Sequence, residues 1–241
     1  MKRKLLKKDI IFIIITSLLA VSCLVMGIFL ANYHQRKDTS NAFETYYNEH
    51  VSSYRVQNSN LSKGQIVFLG DSITDLYHLD DYYADLDKAC YNRGIGGDTT
   101  SGVIKRLQVS LYDIEPSEIV LMIGINDLNG GKSNEEVIKN YKFILDDIKT
   151  HLPSAKVFTM SILPMDDRME GYVHVSTQNE KVMEVNTSIQ QMASEHSYTY
   201  LDLFSLMKDE NNKLISSYSD DGLHPNAWGY QVWTNLLKPL L

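Results

Sequence analysis

From residue 65 to its end, this chain alternates short apolar stretches with longer segments of helical periodicity, and few folds accommodate that alternation. The apolar stretches are Q-I-V-F-L-G (65–70), A-C-Y-N (89–92), E-I-V-L-M-I-G (118–124), K-V-F-T-M-S-I-L (156–163) and Y-T-Y-L-D-L-F (198–204). The clearest helical pattern covers residues 134–151, with Ser133 and Glu136 at capping-box spacing. Others cover 178–196 and 226–237. Strands that alternate with helices pair in parallel through right-handed crossovers, and helices then cover both faces of the sheet. In such sheets ligands bind beyond the carboxyl ends of the strands. The expectation is an α/β domain with a five-stranded parallel sheet, and its chemistry should lie at the strand ends.

Ahead of this domain, M-K-R-K-L-L-K-K-D precedes a run that carries no charge from residue 10 to residue 31. At about 1.5 Å per residue the run covers roughly 33 Å, enough to cross a bilayer. The basic cluster comes first, so the positive-inside rule keeps residues 1–9 cytoplasmic and puts the remainder outside. Cleavage after the A-x-A-like Ala20-Val21-Ser22 would leave an apolar tail on the mature chain. A lipoprotein signal at Cys23 lacks the usual leucine. The reading is therefore an uncleaved signal anchor at 10–31, a juxtamembrane stalk at 32–62 with helix around 42–56, and a folded domain at 63–241. Seven of the 23 basic residues but two of the 30 acidic ones lie before Thr39, so the outer domain is more acidic than the net charge of −7 implies. Such a domain is a poor partner for nucleic acid. Cys23 and Cys90 are the two cysteines, one within the apolar run and one beyond it, which leaves the domain without an internal disulfide.

The strand ends carry distinctive residues. The first stretch runs into G-D-S-I-T-D (70–75), where Ser72 either caps a helix or exposes a hydroxyl at the sheet edge. The second leads to N-R-G-I-G-G-D-T-T (92–100), whose glycines let backbone N–H groups approach a ligand or simply make a turn. The third ends in G-I-N-D (124–127), where Asn126 is a turn former or an amide donor. Near the C-terminus, D-D-G-L-H-P-N (220–226) sets Asp221 three residues before His224. At that spacing a carboxylate reaches Nδ1 while Nε2 points away, and Pro225 is suited to the first position of the last helix. Each feature alone has a structural explanation. In combination they supply a nucleophile, oxyanion donors, a base and its orienting acid, which is the set required for acyl transfer.

These blocks, G-D-S-I, N-R-G-I-G-G-D-T, G-I-N-D and D-G-L-H-P-N, resemble the four signature blocks of the SGNH, or GDSL, hydrolase superfamily. G-I-G-G-D-T-T is similar to its platelet-activating-factor acetylhydrolase-like branch. The resemblance runs from about residue 65 to the end. It implies a flavodoxin-like, three-layer α/β/α fold, with Ser72 as nucleophile and His224 and Asp221 completing a triad. It also implies an oxyanion hole made of the Ser72 and Gly97 N–H groups and the Asn126 amide, with no metal or organic cofactor. The G-x-S-x-G elbow of α/β-hydrolases is not met, because Thr74 stands at its last glycine.

The resulting expectation is a membrane-anchored extracytoplasmic esterase acting on small acyl esters, acetyl above all, of glycans or lipids. An O-acyltransferase using the same serine, or a lysophospholipase- or thioesterase-like lipid acylhydrolase, is the alternative. A silent binding module would be expected to have lost a triad or oxyanion residue, and none is missing. A metal site at Asp220, Asp221 and His224 lacks a second histidine at ligand spacing. The segment 165–175, with His174, is read as a pocket wall bearing on substrate choice.

Overall fold

The computed structural model describes residues 7–169 and 175–241. The described residues divide into two compact units, one before and one after the junction of Asn48 and Glu49. Helix α1 (Lys7–Asn58) contributes to both. In the first unit its apolar side chains, including Leu24, Phe29 and Leu30, are exposed. Among the described residues, it is the one helix long and apolar enough to cross a membrane. Residues 49–58, assigned from sequence to the stalk, belong to the second unit, where Val51 and Tyr54 are buried.

The second unit is built on five parallel strands, β1 (Ile66–Gly70), β2 (Cys90–Gly94), β3 (Glu118–Met122), β4 (Lys156–Met160) and β5 (Thr199–Leu201), in the order β2-β1-β3-β4-β5. Every residue of β1 and β3 is buried, as expected for central parallel strands covered on both faces. The chain leaves β1 for one edge and returns to β3 on the other side, so the order reverses beside β1. That reversal opens a crevice at the carboxyl ends of β1 and β3. This is the five-stranded α/β architecture expected from the sequence.

The strands are shorter than their apolar runs. Residues 123–124 and 162–163 continue the apolar runs beyond the ladder at the carboxyl edge of the sheet, and Asp202 ends β5 by capping helix α8 (Leu203–Met207) through Ser205 N–H. Helix α6 (Asn134–His151) starts where the capping signal places it, with Ser133 Oγ accepting from Glu136 N–H. Helix α7 (Val175–His196) begins three residues before the expected segment. The last helix, α9 (Ala227–Leu237), starts later than proposed for Pro225. Asn226 is the cap, accepting from the N–H groups of Trp228 and Gly229. Pro225 therefore lies ahead of the helix, bridged to Ser219.

The face of the sheet toward α9 is aromatic. Phe68 meets Tyr77, Tyr83 at the end of helix α3 (Leu79–Tyr83), and Trp233, and Tyr77 stacks on Tyr230 with ring centroids 4.4 Å apart. Full burial of such side chains stabilises the fold by about 1.5–3 kcal/mol each. The hydroxyls stay satisfied: Tyr77 meets Thr234 at 2.6 Å and Tyr230 donates to the Ile73 carbonyl at 2.8 Å. That last bond ties α9 to the turn after β1.

Near the carboxyl ends of β1 and β2 lies a buried cation. Helix α4 (Thr100–Leu107) directs Arg106, 1% exposed, under the loops that follow these strands. Its Nε pairs with Asp98 at 2.8 Å, while Nη2 donates to the Gly70 carbonyl and Nη1 to the Arg93 carbonyl, both at 2.8 Å. Losing the guanidinium strands a buried carboxylate and two carbonyls. Arg106→Ala is expected to lower the unfolding free energy by roughly 3–5 kcal/mol, read as a fall in the urea midpoint of the detergent-solubilised chain.

Candidate active site

Ser72 opens a single helical turn, α2 (Ser72–Asp75), directly after β1, and Asp71 caps it by accepting the Ile73 N–H at 3.0 Å. The sequence therefore makes both proposed uses of this turn, with the cap falling to the aspartate and the exposed hydroxyl to the serine. Asn92, on β2, holds the same turn by donating to the carbonyls of Thr74 (2.7 Å) and Tyr77 (3.1 Å).

His224 reaches Ser72 from the far end of the chain. Its Nε2 lies 2.9 Å from Ser72 Oγ, and its Nδ1 lies 2.6 Å from Asp221 Oδ2. The other Asp221 oxygen, Oδ1, accepts the backbone N–H groups of Leu223 (2.9 Å) and His224 (2.8 Å). Partial burial pushes the Asp221 carboxyl up, but hydrogen bonds from the His224 ring and from these two N–H groups outweigh it and hold the group at about 2. The acid is thus ionised at neutral pH and fixes the ring with Nδ1 protonated, leaving Nε2 free to accept the serine proton. Asp220 turns elsewhere and accepts from Asn226 Nδ2 at 3.2 Å.

The expected oxyanion donors surround the same turn. Gly97 has φ +75°, a left-handed conformation that glycine adopts without strain. Its loop is bonded to the serine segment through Ile95 N–H to the Gly70 carbonyl (3.2 Å) and Gly96 N–H to Asp75 Oδ2 (3.2 Å). Asn126, in the first turn of helix α5 (Ile125–Asn129), donates one Nδ2 hydrogen to the Asp98 carbonyl at 2.9 Å, which leaves the second for a ligand. Among the described residues, neither Ser72 N–H nor Gly97 N–H donates a hydrogen bond. The structure therefore brings all five residues named from the sequence, Ser72, Gly97, Asn126, Asp221 and His224, to one edge of the sheet. Neutral donors already held in place suit a site where negative charge develops on an oxygen.

Sequence reasoning missed three supports of this edge. Arg106 is one. Another is Asp166, whose N–H donates to the Gly222 carbonyl at 2.9 Å, docking the loop after β4 against the turn that carries Asp221 and His224. The third is Asp71 as a buried acid. No spacing rule marks any of them, because their partners are distant in sequence or are backbone atoms. Of the expected pocket wall 165–175, residues 170–174, His174 included, lie outside the described residues.

The GDSL-like lipase/acylhydrolase family model matches residues 68–232. The chain belongs to this family. Human platelet-activating factor acetylhydrolase IB subunit alpha1 is 28% identical over 190 residues, 77% of this chain and 79% of that protein. A Streptococcus pneumoniae structure, described provisionally as a platelet activating factor, matches with TM-score 0.77 and 28% identity over 85% of this chain and 96% of that one. A GDSL-like lipase from Bacteroides thetaiotaomicron shares the fold, with TM-score 0.71 and 22% identity over 81% of this chain and 97% of that one. This GDSL-like protein is thus placed in the SGNH superfamily, among hydrolases acting on esters.

Burial pushes the Asp71 carboxyl of this GDSL-like hydrolase up to about 7. The Ile73 N–H opposes the shift, and the Asp98 and Asp127 carboxylates add to it. Its Oδ2 finds no hydrogen-bond partner among the described residues. A folded-state value above the unfolded one means that stability is fully present below about pH 4 and is lost as pH rises to about 7. Asp71→Asn keeps an acceptor for Ile73 N–H and does not titrate. Its stability relative to wild type should rise by on the order of 4 kcal/mol between pH 4 and pH 8. Urea unfolding at those two pH values measures the gap, and a pH-independent gap would show that Asp71 titrates as an ordinary carboxyl.

Proposed function

We propose that this chain is a membrane-anchored, extracytoplasmic serine esterase that hydrolyses small acyl esters, acetyl above all, of glycans or lipids. The observation that carries this reading is the continuous relay from Ser72 Oγ to His224 Nε2 and from His224 Nδ1 to Asp221, at 2.9 and 2.6 Å. His224 takes the Ser72 proton as Oγ attacks the ester carbonyl. The carbonyl oxygen becomes an oxyanion facing the Ser72 and Gly97 N–H groups and the free Asn126 amide hydrogen. Asp221, ionised, stabilises the imidazolium formed in this step. His224 then protonates the departing alcohol. Water, deprotonated by the same nitrogen, releases the acyl group and restores the serine.

Two further observations support the finer parts of this reading. The preference for a short acyl group draws on the similarity to acetylhydrolases over 77% of the chain. The anchor draws on the apolar exposed helix that follows a basic N-terminus.

Ser72→Ala and His224→Ala are each expected to remove nearly all hydrolysis of a chromogenic acetate ester. Asp221→Asn should retain a residual rate, with kcat reduced by about 10⁴-fold as the ring loses its preferred tautomer. Comparison of acetyl with octanoyl esters reads the acyl preference. Wild-type turnover in Ser72→Ala would refute the serine mechanism, and a rate rising with chain length would refute the short-acyl preference.

A further inference from the structure

The last turns of α1 grip the strand that feeds the proposed oxyanion loop. Tyr54, 6% exposed, donates its hydroxyl hydrogen to the Gly94 carbonyl at the end of β2. Its ring lies under the Arg93 guanidinium, 4.4 Å from ring centroid to Cζ. Arg93 is 2% exposed, and among the described residues it has no carboxylate within ion-pair distance. Its Nη groups donate to neutral oxygens, two of them on α1, Gln57 Oε1 at 3.0 Å and Asn58 Oδ1 at 2.8 Å, while its buried Nε has no hydrogen-bond partner among the described residues. Asn58 also donates to the Val109 carbonyl at 2.7 Å, in the turn of π-helix (Gln108–Tyr112) that continues α4. A buried cation needs its hydrogen bonds and a polarisable face. For Arg93, α1 supplies most of both.

What α1 grips is in turn pressed against the nucleophile. A Cβ added to Gly94 would lie 2.1 Å from Asp75 N and 2.6 Å from Asp75 Cα, so the backbone of β2 touches the helical turn that carries Ser72. Two residues later Gly96 N–H donates to Asp75 Oδ2, and then comes Gly97. A shift of residues 93–94 is therefore passed to the serine turn and to the oxyanion loop together, where errors near 1 Å cost on the order of 10²-fold in rate.

We infer that Tyr54, with Gln57 and Asn58, is a positioning element of the active site: the end of α1 sets the distance between the nucleophile turn and the Gly97 loop. The inference rests on the serine-esterase reading of Ser72. It gives Tyr54, Gln57 and Asn58 a part in the reaction although none of them touches the reacting atoms.

The test uses the full chain in detergent and a fluorophosphonate, which labels an activated serine through an oxyanion-like transition state and requires no knowledge of the natural ester. Tyr54→Phe should lower the maximal labelling rate about tenfold with the probe's binding constant within about twofold. The double variant Gln57→Ala/Asn58→Ala should act in the same direction. Val56→Ala, exposed in the same turn, serves as the unaffected control. A purely structural role would reduce the fraction of chains that label while leaving the rate of those that do, and that result would overturn the inference. So would wild-type rates in both variants. Equal labelling of wild type and Ser72→Ala would instead bring down the serine-esterase reading, and the inference with it.

Discussion

The arrangement of this protein turns on one buried guanidinium. Arg106 joins Asp98, the Gly70 carbonyl, the Arg93 carbonyl and Ser110 Oγ, and the first three of these lie next to a residue of the site or on a strand that leads to it. Gly70 precedes the Asp71–Ser72 turn, Arg93 precedes the glycine loop, and Asp98 follows Gly97 while its carbonyl holds Asn126. Three segments that a parallel sheet would only bring near one another are thereby fixed by directional bonds. A hydrophobic contact in the same place would fill space without dictating angles, and the proposed oxyanion site depends on angles.

That arrangement has an electrostatic cost. Asp71, Asp98 and Asp127 lie close enough to influence one another, with Arg106 among them. Asp127 is satisfied by Thr100 N–H, Thr100 Oγ1 and Lys132 Nζ, at 2.8, 2.7 and 2.9 Å. Asp98 has Arg106, and Asp71 is left with one backbone N–H. Its carboxyl answers by moving toward neutrality. The cost, from burial first and from the neighbouring acids second, thus falls on the residue next to Ser72, where the chain must turn from strand to helix in the space of one residue.

What the sequence disclosed and what it hid follow from the range of the forces involved. Helix α6 was legible because its cap, Ser133 with Glu136, and its apolar spacing are local. The five strands were legible as apolar runs, but their ends were not, since Ile123 and Ile162 are apolar and still lie beyond the ladder, as when Ile162 N–H donates to Asn186 Oδ1. The helical pattern at 226–237 lay within one residue of α9, but proline's preference put Pro225 in its first turn, whereas the capping strength of Asn226 starts the helix two residues later. The serine, glycine, asparagine, aspartate and histidine could be named since each sits at a strand end or in a recognisable block. Arg106 and Tyr54 could not. An arginine on an amphipathic helix looks like a solvated charge, and a tyrosine forty residues from its carbonyl partner looks like part of a stalk.

The turn that carries Asp221 and His224 divides the relay into a stiff link and a soft one. Asp221 accepts two backbone N–H groups and the imidazole of its own turn, and the turn is closed on itself where Ser219 pairs with Pro225. Acid and base therefore move as one body. Ser72 belongs to another body, the strand-end turn held by Asn92 and Tyr230. Thermal motion or an arriving ligand will change the serine–histidine separation long before it alters the histidine–aspartate one. In the proposed mechanism the imidazole then keeps its tautomer, and the proton transfer that begins the reaction is gated by how the two bodies approach each other.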